Sequence, residues 1–346
     1  MSKKNPRIGD AHNDLLQELA FRESQPNPFG EHWLGQLHEG GVALTVCPAN
    51  VALDHLPEGA LRAVLTQAGG FHRAVRENRE SVLWAGGEGD LEAAESSDRI
   101  ALILSLEGTE ALGYSPALID PLVTLGVRMV GLSWNRRNPF ADGVGEDNDG
   151  GLSALGRSLV DRLAARQVAI DLSHVGRRAF DQALEQVPDA HFIVSHAGCR
   201  AVYDTPRNLT DGQMEALATA GGVIGVLAHP VGVGIEGDGA TLDKVVDHLD
   251  HAVRVVGIER VAIGSDFPRQ IVRSGALQVP PDVIVPAGME LDAALDGLAG
   301  PSEFPNLAEA LENRGYGRAE REAILYGNLR RFLDEVLAHH PPSHDR

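Results

Sequence analysis

The sequence predicts an α/β protein of the (β/α)8 barrel type. Eight short and nearly continuous apolar runs are bounded by polar or glycine-rich segments, and helix-like stretches separate most of them. Buried strands that alternate with helices indicate a parallel sheet covered by helices, and eight such units are the number found in this barrel. The carboxyl ends of the strands then surround one mouth, where we expect the active site.

The eight predicted strands are spread over most of the chain. They are residues 7–14, 42–48 (VALTVCP), 100–107 (IALILSLE), 128–134 (RMVGLSW), 168–174 (VAIDLSH), 191–196 (HFIVSH), 222–229 (GVIGVLAH) and 260–266 (RVAIGSD). A predicted helix between two of them covers residues 151–167, where Leu155, Leu159 and Leu163 recur at helical spacing.

The domain organisation follows from the absence of a proline- or serine-rich linker in the sequence. We expect a single domain over residues 1–346, with two insertions at the mouth of the barrel. Residues 135–151 follow the fourth strand and are rich in glycine and aspartate, and residues 267–304 follow the eighth. Long loops in a compact barrel commonly form lids or substrate walls.

Composition excludes several classes of partner. Acidic residues outnumber basic ones 49 to 30, for a formal charge of -19, so nucleic acid and anionic lipid are poor partners. We expect no secretion signal and no membrane span, because no apolar run has the required length. The two cysteines lack Cys-x-x-Cys spacing, which favours a cytoplasmic location.

Several predicted strands end on a side chain that binds metals or transfers protons. The residues at these ends are Asp14, Glu107, His174, His196, His229 and Asp266. His12 precedes Asp14 by two positions, and side chains two apart in an extended strand project from the same face. Residues that are far apart in sequence are therefore expected to meet at the mouth.

Each of these residues has an ordinary structural interpretation when it is taken alone. Together, five of them would form a cluster of unsatisfied polar groups unless something binds them: His12, Asp14, Glu107, His174 and His196. Two divalent cations would satisfy the cluster. Imidazole and carboxylate ligands without thiolate suit zinc best, with manganese or cobalt as alternatives. Glu107 is the candidate bridging carboxylate, with a shared water whose pKa falls towards neutrality.

Other polar residues receive a structural interpretation. His248 and His251 lie three apart in a predicted helix, so we expect them on the outside of the barrel. Asp171 precedes His174 by three positions, and we expect it either to point elsewhere or to support a ligand. The histidines after residue 338 are expected to lie in a disordered tail.

An ordered set of motifs identifies a family resemblance. The motifs are DAHNDL at 10–15, SLEG at 105–108, NPFAD at 138–142, IDLSHV at 170–175, VSHAGCRAV at 194–202, PRNLTD at 206–211, HLDHAVRVVG at 248–257, GSDF at 264–267 and GNLRRF at 327–332. In this order they resemble the renal, or membrane, dipeptidase family of binuclear zinc peptidases in the amidohydrolase superfamily. The resemblance covers nearly the whole chain.

The resemblance implies a set of ligands that agrees with the cluster. His12 and Asp14 would bind one zinc ion and His174 and His196 the other, while Glu107 would bridge the two.

The resemblance also implies the chemistry. Asp266 would take a proton from the bridging water and pass it to the leaving amine, and Arg207 would hold the terminal carboxylate of a dipeptide. The implied reaction is hydrolysis of L-Xaa-L-Xaa or L-Xaa-D-Xaa dipeptides by a zinc-activated bridging hydroxide. A homodimer is also implied.

The sequence departs from the family pattern at three places in the mouth. Trp134 stands where the family's dipeptidases carry a histidine that contacts the substrate carbonyl, and tryptophan has a single neutral N–H to offer. His229 ends the seventh strand, and we expect it either to contact the same carbonyl or to face solvent. Pro268 and Arg269 replace an acidic residue and a glycine, so Arg269 is expected to attract an acidic substrate side chain.

Two other functions are compatible with the same residues. The same metals would hydrolyse the amide of an N-acyl amino acid or another small amide. Alternatively, the protein would bind a metal and a ligand without turnover, because Trp134 has replaced the histidine.

Overall fold

The computed structural model describes residues 6–234, 240–277, 289–290 and 292–343. Nine parallel strands form one sheet within these residues. They are β1 (Ile8–Asp10), β2 (Val42–Ala49), β3 (Val82–Trp84), β4 (Ile100–Leu106), β5 (Val127–Gly131), β6 (Ala169–Asp171), β7 (Phe192–Ala197), β8 (Val223–Val226) and β9 (Val261–Ile263).

Eight of the strands close into a barrel. β1 pairs with β2 and β9, β2 also pairs with β4, and β4 to β9 pair in sequence order. The predicted (β/α)8 fold is therefore confirmed, and each barrel strand overlaps one of the predicted strands. Strand β3 was not predicted; it lies beside the first residues of β4, with Val82 opposite Ile100. Its three residues are too few to show a pattern.

Helices connect the strands and cover the barrel. They are α1 (Leu15–Phe21), α2 (Pro28–His32), α3 (Leu34–Glu39), α4 (Ala60–Glu77), α5 (Asp90–Ser96), α6 (Ile119–Leu125), α7 (Ala154–Ala165), α8 (Arg177–Gln186), α9 (Asp211–Thr219), α10 (Pro230–Val233), α11 (Leu242–Val256), α12 (Arg269–Ser274), α13 (Phe304–Arg314), α14 (Arg318–Glu322) and α15 (Asn328–Leu337). Among the described residues, none of the helices is long and apolar enough to cross a bilayer.

The strands divide their side chains between two apolar clusters. In β4, Leu102 and Leu104 pack with the surrounding helices, whereas Ala101 and Ile103 belong to an inner cluster. Helix α15 adds Leu329, Phe332, Leu333, Val336 and Leu337 to that inner cluster. Because side chains alternate along a strand, the inward face of β4 continues towards Glu107 at its carboxyl end.

The two predicted insertions at the mouth differ in how much of them the structure describes. Residues 135–151 form an irregular loop in which Asp142 accepts bonds from Arg137 and from the backbone of Gly150. Residues 267–304 include α12. The segment VPPDVIVPAG, at 279–288, lies outside the described residues.

Residues 338–343, which follow α15, pack onto the protein, so the expectation of a disordered tail is wrong for His340, while His344 lies outside the described residues. His340 is buried, and its carbonyl accepts a bond from Glu88 N at 2.9 Å. Three residues later, the backbone N–H and the hydroxyl of Ser343 both donate to Asp90. The polar groups of the tail satisfy a buried carboxylate, which ties the tail to the start of α5.

We predict that Gly87→Ala destabilises the protein by about 1–3 kcal/mol, because overpacking forces the backbone to shift. A Cβ atom at Gly87 would overlap the carbonyl oxygen of Pro341. Chemical unfolding measures the effect. Gly69→Ala, in α4, is the matched control: its Cβ meets nothing within 4 Å, and alanine favours a helix by about 0.5–1 kcal/mol. Equal stability of Gly87→Ala and the wild type would contradict the prediction.

Candidate metal centre and active site

Six side chains from the carboxyl ends of five strands meet at the mouth of the barrel. They form three overlapping groups whose ligand atoms lie within 4.8 Å of one another: His12, Asp14 and Glu107; Glu107, His174 and His196; and His12, His196 and Asp266. Five are the predicted metal ligands and the sixth is the predicted proton carrier.

Glu107 lies at the centre of the cluster. Its Oε1 atom is 3.0 Å from Nε2 of His174, 3.6 Å from Nε2 of His196 and 3.7 Å from Nε2 of His12. Glu107 directly follows β4, and its N–H donates to Ala49 O of β2 at 2.9 Å. The position suits a carboxylate that is shared by two cations.

The turn after β1 places His12 and Asp14 in the cluster. The predicted strand over 7–14 is too long: β1 ends at Asp10, so strand alternation does not explain why the two side chains meet. Instead, His12 N donates to the carboxylate of Asp10 at 3.3 Å, and His12 O accepts a bond from Asp266 N at 3.1 Å. The first bond stabilises the turn after β1, and the second joins the ends of β1 and β9.

Two of the converging residues have left-handed backbone conformations, which residues other than glycine rarely adopt. His174 has a φ of 63° and Asp266 a φ of 52°. Strands β6 and β9 end at Asp171 and Ile263, before these residues, so the predicted strands over 168–174 and 260–266 also extend too far. Left-handed backbone at a non-glycine residue costs about 1–3 kcal/mol and is concentrated at functional sites.

An irregularity in β7 places His196. Ile193 and Ser195 face the barrel interior and Val194 packs outward, so strict alternation would also turn His196 outward. The register between β7 and β8 shifts between Val194 and Ala197, and His196 joins the cluster at this shift. Bulges of this kind redirect side chains next to active sites.

Hydrogen bonds orient the lone pairs of two imidazoles towards each other. His174 Nδ1 lies 2.6 Å from Asn135 Oδ1, an acceptor, so this nitrogen carries the proton. His196 Nδ1 lies 2.7 Å from Ser195 Oγ, whose own hydrogen goes to Asp171 at 2.5 Å. Both Nε2 atoms therefore present lone pairs, 2.7 Å apart. Asp171 supports a ligand, which was one of the two roles expected for it.

His12 supplies an independent indication of a cation. It is 1% exposed, and neither of its ring nitrogens has a hydrogen-bond partner. Burial lowers the pKa of His12, but the negative charge of Glu107 and the contacts with Asp14 and Asp266 outweigh it and raise the pKa. The carboxylates thus attract a positive charge to this point, and a cation that takes it displaces the proton.

The remaining pKa shifts fit the same interpretation. Burial, followed by the charge of Arg207, lowers the pKa of His174 well below its usual value, and burial does the same for His196. Burial raises the pKa of Glu107 and of Asp266. Neutral imidazoles beside crowded carboxylates form the donor set that zinc, manganese or cobalt binds.

Arg207 reaches the cluster from the loop after β7. It is buried, and Nη2 donates to His196 O at 2.6 Å and lies 3.1 Å from His174 Nε2. The start of the same loop is anchored on α11, because Cys199 N donates to Nδ1 of His248 at 2.8 Å. His248 therefore supports this loop and is absent from the ligand groups found among the described residues.

The unusual residues of the mouth lie near the cluster. The ring centroids of Trp134 and His174 are 5.9 Å apart. His229 Nδ1 accepts a bond from Val231 N at 3.1 Å, which caps α10. Burial and then the charge of Arg207 lower the pKa of His229 to about 4. Arg269 contacts Asp292 O at 3.5 Å, and its expected attraction for an acidic substrate stays a prediction.

The sequence analysis missed the residues that hold the ligands in place. Asn135 and Ser195 each bond a ligand histidine, and Asn50 bonds two ligand carboxylates. Ser195 precedes its histidine directly, which is a usable signal. Asn50 and Asn135 are asparagines just after β2 and β5, and no local pattern distinguishes them from loop residues.

The chain matches a family model described as membrane dipeptidase (peptidase family M19) over residues 3–276. The chain belongs to this family. Human dipeptidase 3 is 28% identical over 341 residues, which cover 94% of this chain and 64% of the human protein. The chain thus spans less than two thirds of the length of that relative.

Two solved structures share the fold of this membrane dipeptidase family member. Dipeptidase AC, a metallopeptidase of family M19, has a TM-score of 0.82 and 22% identity, covering 97% of this chain and 99% of that one. A metallopeptidase from Rhodobacter sphaeroides, solved with a phosphinate mimic of the dipeptide L-Ala-D-Ala, has a TM-score of 0.80 and 22% identity, covering 96% and 99%. With the ligand groups described above, membership of a metallopeptidase family points to a metal cofactor.

The buried imidazole of His248 makes the free energy of unfolding depend on pH. Burial lowers its pKa to about 4, whereas the unfolded value is near 6.5. Between these values the unfolded chain binds more protons, so the free energy of unfolding falls as the pH falls, by at most about 1.4 kcal/mol per pH unit from this residue. The imidazole is neutral above the window and accepts the Cys199 N–H.

We predict that His248→Asn, whose amide oxygen still accepts a bond but does not titrate, has a shallower loss of stability between pH 6.5 and 4 than the wild type. Urea unfolding at a series of pH values measures the slope. Parallel curves for the two proteins would contradict the prediction.

Proposed function

We propose that this protein is a metal-dependent dipeptidase that uses two divalent cations, zinc first and manganese or cobalt as alternatives. The observation that carries the proposal is that the Glu107 carboxylate belongs both to the group with His12 and Asp14 and to the group with His174 and His196. His12 and Asp14 would hold one cation with it, and His174 and His196 the other. Bound cations of this kind polarise a carbonyl and lower the pKa of a coordinated water.

Asp266 is the proposed proton carrier. Its carboxylate lies 4.0 Å from His12 Nε2, within reach of the centre that the ligands surround. Burial raises its pKa above the ordinary carboxyl value, which brings it closer to the pH at which a group both accepts and returns a proton. It would take a proton from the attacking water and deliver it to the nitrogen of the leaving amine.

Arg207 is the proposed anchor for the terminal carboxylate of the substrate. It is buried, and burial lowers its pKa, so an anionic partner at this place is favourable. A guanidinium binds a carboxylate through two parallel N–H donors, which fixes the orientation of the substrate. This anchor would place the scissile peptide bond at a set distance from the metal ligands.

The proposed substrates are L-Xaa-L-Xaa or L-Xaa-D-Xaa dipeptides. The Rhodobacter sphaeroides metallopeptidase was solved with a mimic of L-Ala-D-Ala, which supports the L-Xaa-D-Xaa class, whereas the L-Xaa-L-Xaa class rests on the family resemblance. Hydrolysis of N-acyl amino acids is the alternative, because the replacement of a histidine by Trp134 changes the wall beside His174.

The cellular setting of the protein is also a proposal. Cys47 and Cys199 are both free and buried, which is compatible with a cytoplasmic location. A homodimer, like the location, stays a prediction.

We predict that the purified protein with zinc hydrolyses dipeptides and loses this activity when a chelator removes the metal.

In Asp266→Asn, kcat should fall by about 10²- to 10⁴-fold, the usual contribution of a general acid–base. Metal analysis accompanies the assay, so that loss of the ion is distinguished from loss of proton transfer. The proposal fails if the metal-loaded wild type cleaves N-acyl amino acids but none of the L,L and L,D dipeptides.

We predict that His229→Ala lowers kcat/KM about tenfold or more for the best dipeptide if the imidazole contacts the scissile carbonyl. The side chain is only partly exposed and follows β8 at the mouth of the barrel, and burial, then the charges of Arg207 and Asp14, shift its pKa. We therefore expect it beside the proposed substrate site. His251→Ala, a histidine on α11 that pairs with Asp211, is the control and should retain full activity. An unchanged kcat/KM in His229→Ala would remove His229 from the substrate site.

A further inference from the structure

Asn50 forms a bridge between two ligand carboxylates. Its side-chain nitrogen lies 3.1 Å from Asp14 Oδ1 and 3.2 Å from Glu107 Oε2. An asparagine amide has two N–H donors, so both are used, one on each carboxylate. Asp14 follows β1 and Glu107 follows β4, while Asn50 directly follows β2, which lies between them.

A buried glutamine fixes Asn50 in this position. Gln67 Nε2 donates to Asn50 O at 2.6 Å, and Asn50 N donates to Gln67 Oε1 at 3.1 Å. Gln67 is 6% exposed and lies on the same face of α4 as the buried Val64, Ala68 and Phe71. A polar side chain on such a face needs both of its groups bonded, and the backbone of Asn50 supplies both partners. These bonds do not involve the Asn50 side chain.

The chemistry of the amide suits its place between two carboxylates. Two nearby negative charges repel each other, and a lysine between them would compete with the cations for the same oxygens. An amide donates to both carboxylates without a net charge. It binds Oε2 of Glu107 and leaves Oε1 directed at the three imidazoles, where the distances are 3.0 to 3.7 Å.

We propose that Asn50 is a positioning residue for the metal centre: it sets the orientations of Asp14 and Glu107, and α4 holds it there through Gln67. This inference rests on the metal-binding part of the proposed function. Partners that orient metal ligands contribute about 10- to 100-fold to metal affinity. Asn50 is therefore expected to change the affinity for the ion itself, separately from any effect on the substrate.

The test is metal affinity in Asn50→Leu, whose side chain has a similar size and no N–H donor. Full-length metal-free protein is titrated with Zn²⁺ in competition with a chromophoric chelator, and with Co²⁺ while the visible spectrum is recorded. We expect binding of at least one ion to weaken by about 10- to 100-fold and the cobalt spectrum to change. Asn50→Gln, which keeps the amide, should recover part of the affinity. Wild-type affinity and spectrum in Asn50→Leu would overturn the proposal.

Asn78→Leu provides the matched control. Asn78 is a buried asparagine at the end of α4, the helix that carries Gln67, and its amide bonds Asn27 and Ala74 at 2.8 Å, away from the metal ligands. We expect this variant to lose stability but to keep its metal affinity. Should Asn50→Leu not fold, Asn50→Ala repeats the titration, since alanine fits wherever asparagine fits. Unchanged metal affinity in that variant would equally overturn the proposal.

The two proposals fail in different ways. If the wild type binds zinc tightly but hydrolyses no dipeptide, the proposed substrate is wrong and the role of Asn50 is still measured by the titration. If dipeptides are hydrolysed but Asn50→Leu binds metal like the wild type, the role of Asn50 is wrong and the proposed function stands.

Discussion

The buried cluster of carboxylates and imidazoles at the barrel mouth is the constraint on which the other features of the site depend. Imidazole lone pairs and carboxylate oxygens approach within 4.8 Å of one another in a buried place, where unpaired acceptors are costly. Positive charge at the centre of the cluster would stabilise it, and the raised pKa values of His12, Glu107 and Asp266 have the same electrostatic origin. The neighbouring donors act to hold the acceptors in that arrangement: Asn50 on two carboxylates, and Asn135 and Ser195 on two imidazoles.

The side chains reach the cluster because the backbone departs from regular strand geometry at the carboxyl end of the barrel. Regular alternation along β4 delivers Glu107 to the interior, but the other ligands need a tight turn, a register shift or left-handed backbone. Each departure has a local cost, which the closed sheet and its two apolar clusters offset. A closed barrel with left-handed residues at one rim holds these side chains close to one another.

The mouth of the barrel also contains residues that are not candidate metal ligands and that lie beside the cluster. Arg207 contacts the backbone of His196 and the ring of His174, so the proposed substrate anchor and the proposed metal centre are parts of one network. Trp134 and His229 lie around the same network, and neither is among the metal-ligating groups of the described residues. The departures from the family pattern at Trp134 and His229 thus lie beside the candidate ligand groups without replacing a member of them.

The sequence by itself determined the eight barrel strands and the identity of the converging residues. Apolar runs report burial, which is a local property, and parallel strands must bring their carboxyl ends together. Only the tertiary structure decided where each strand ends, how His12 and His196 turn inward, and which amides support the ligands. Asn50 and Gln67 are 17 positions apart, and their pairing depends on how α4 packs beside β2. No periodicity in the chain encodes such a contact, because it depends on the relative placement of two elements in space.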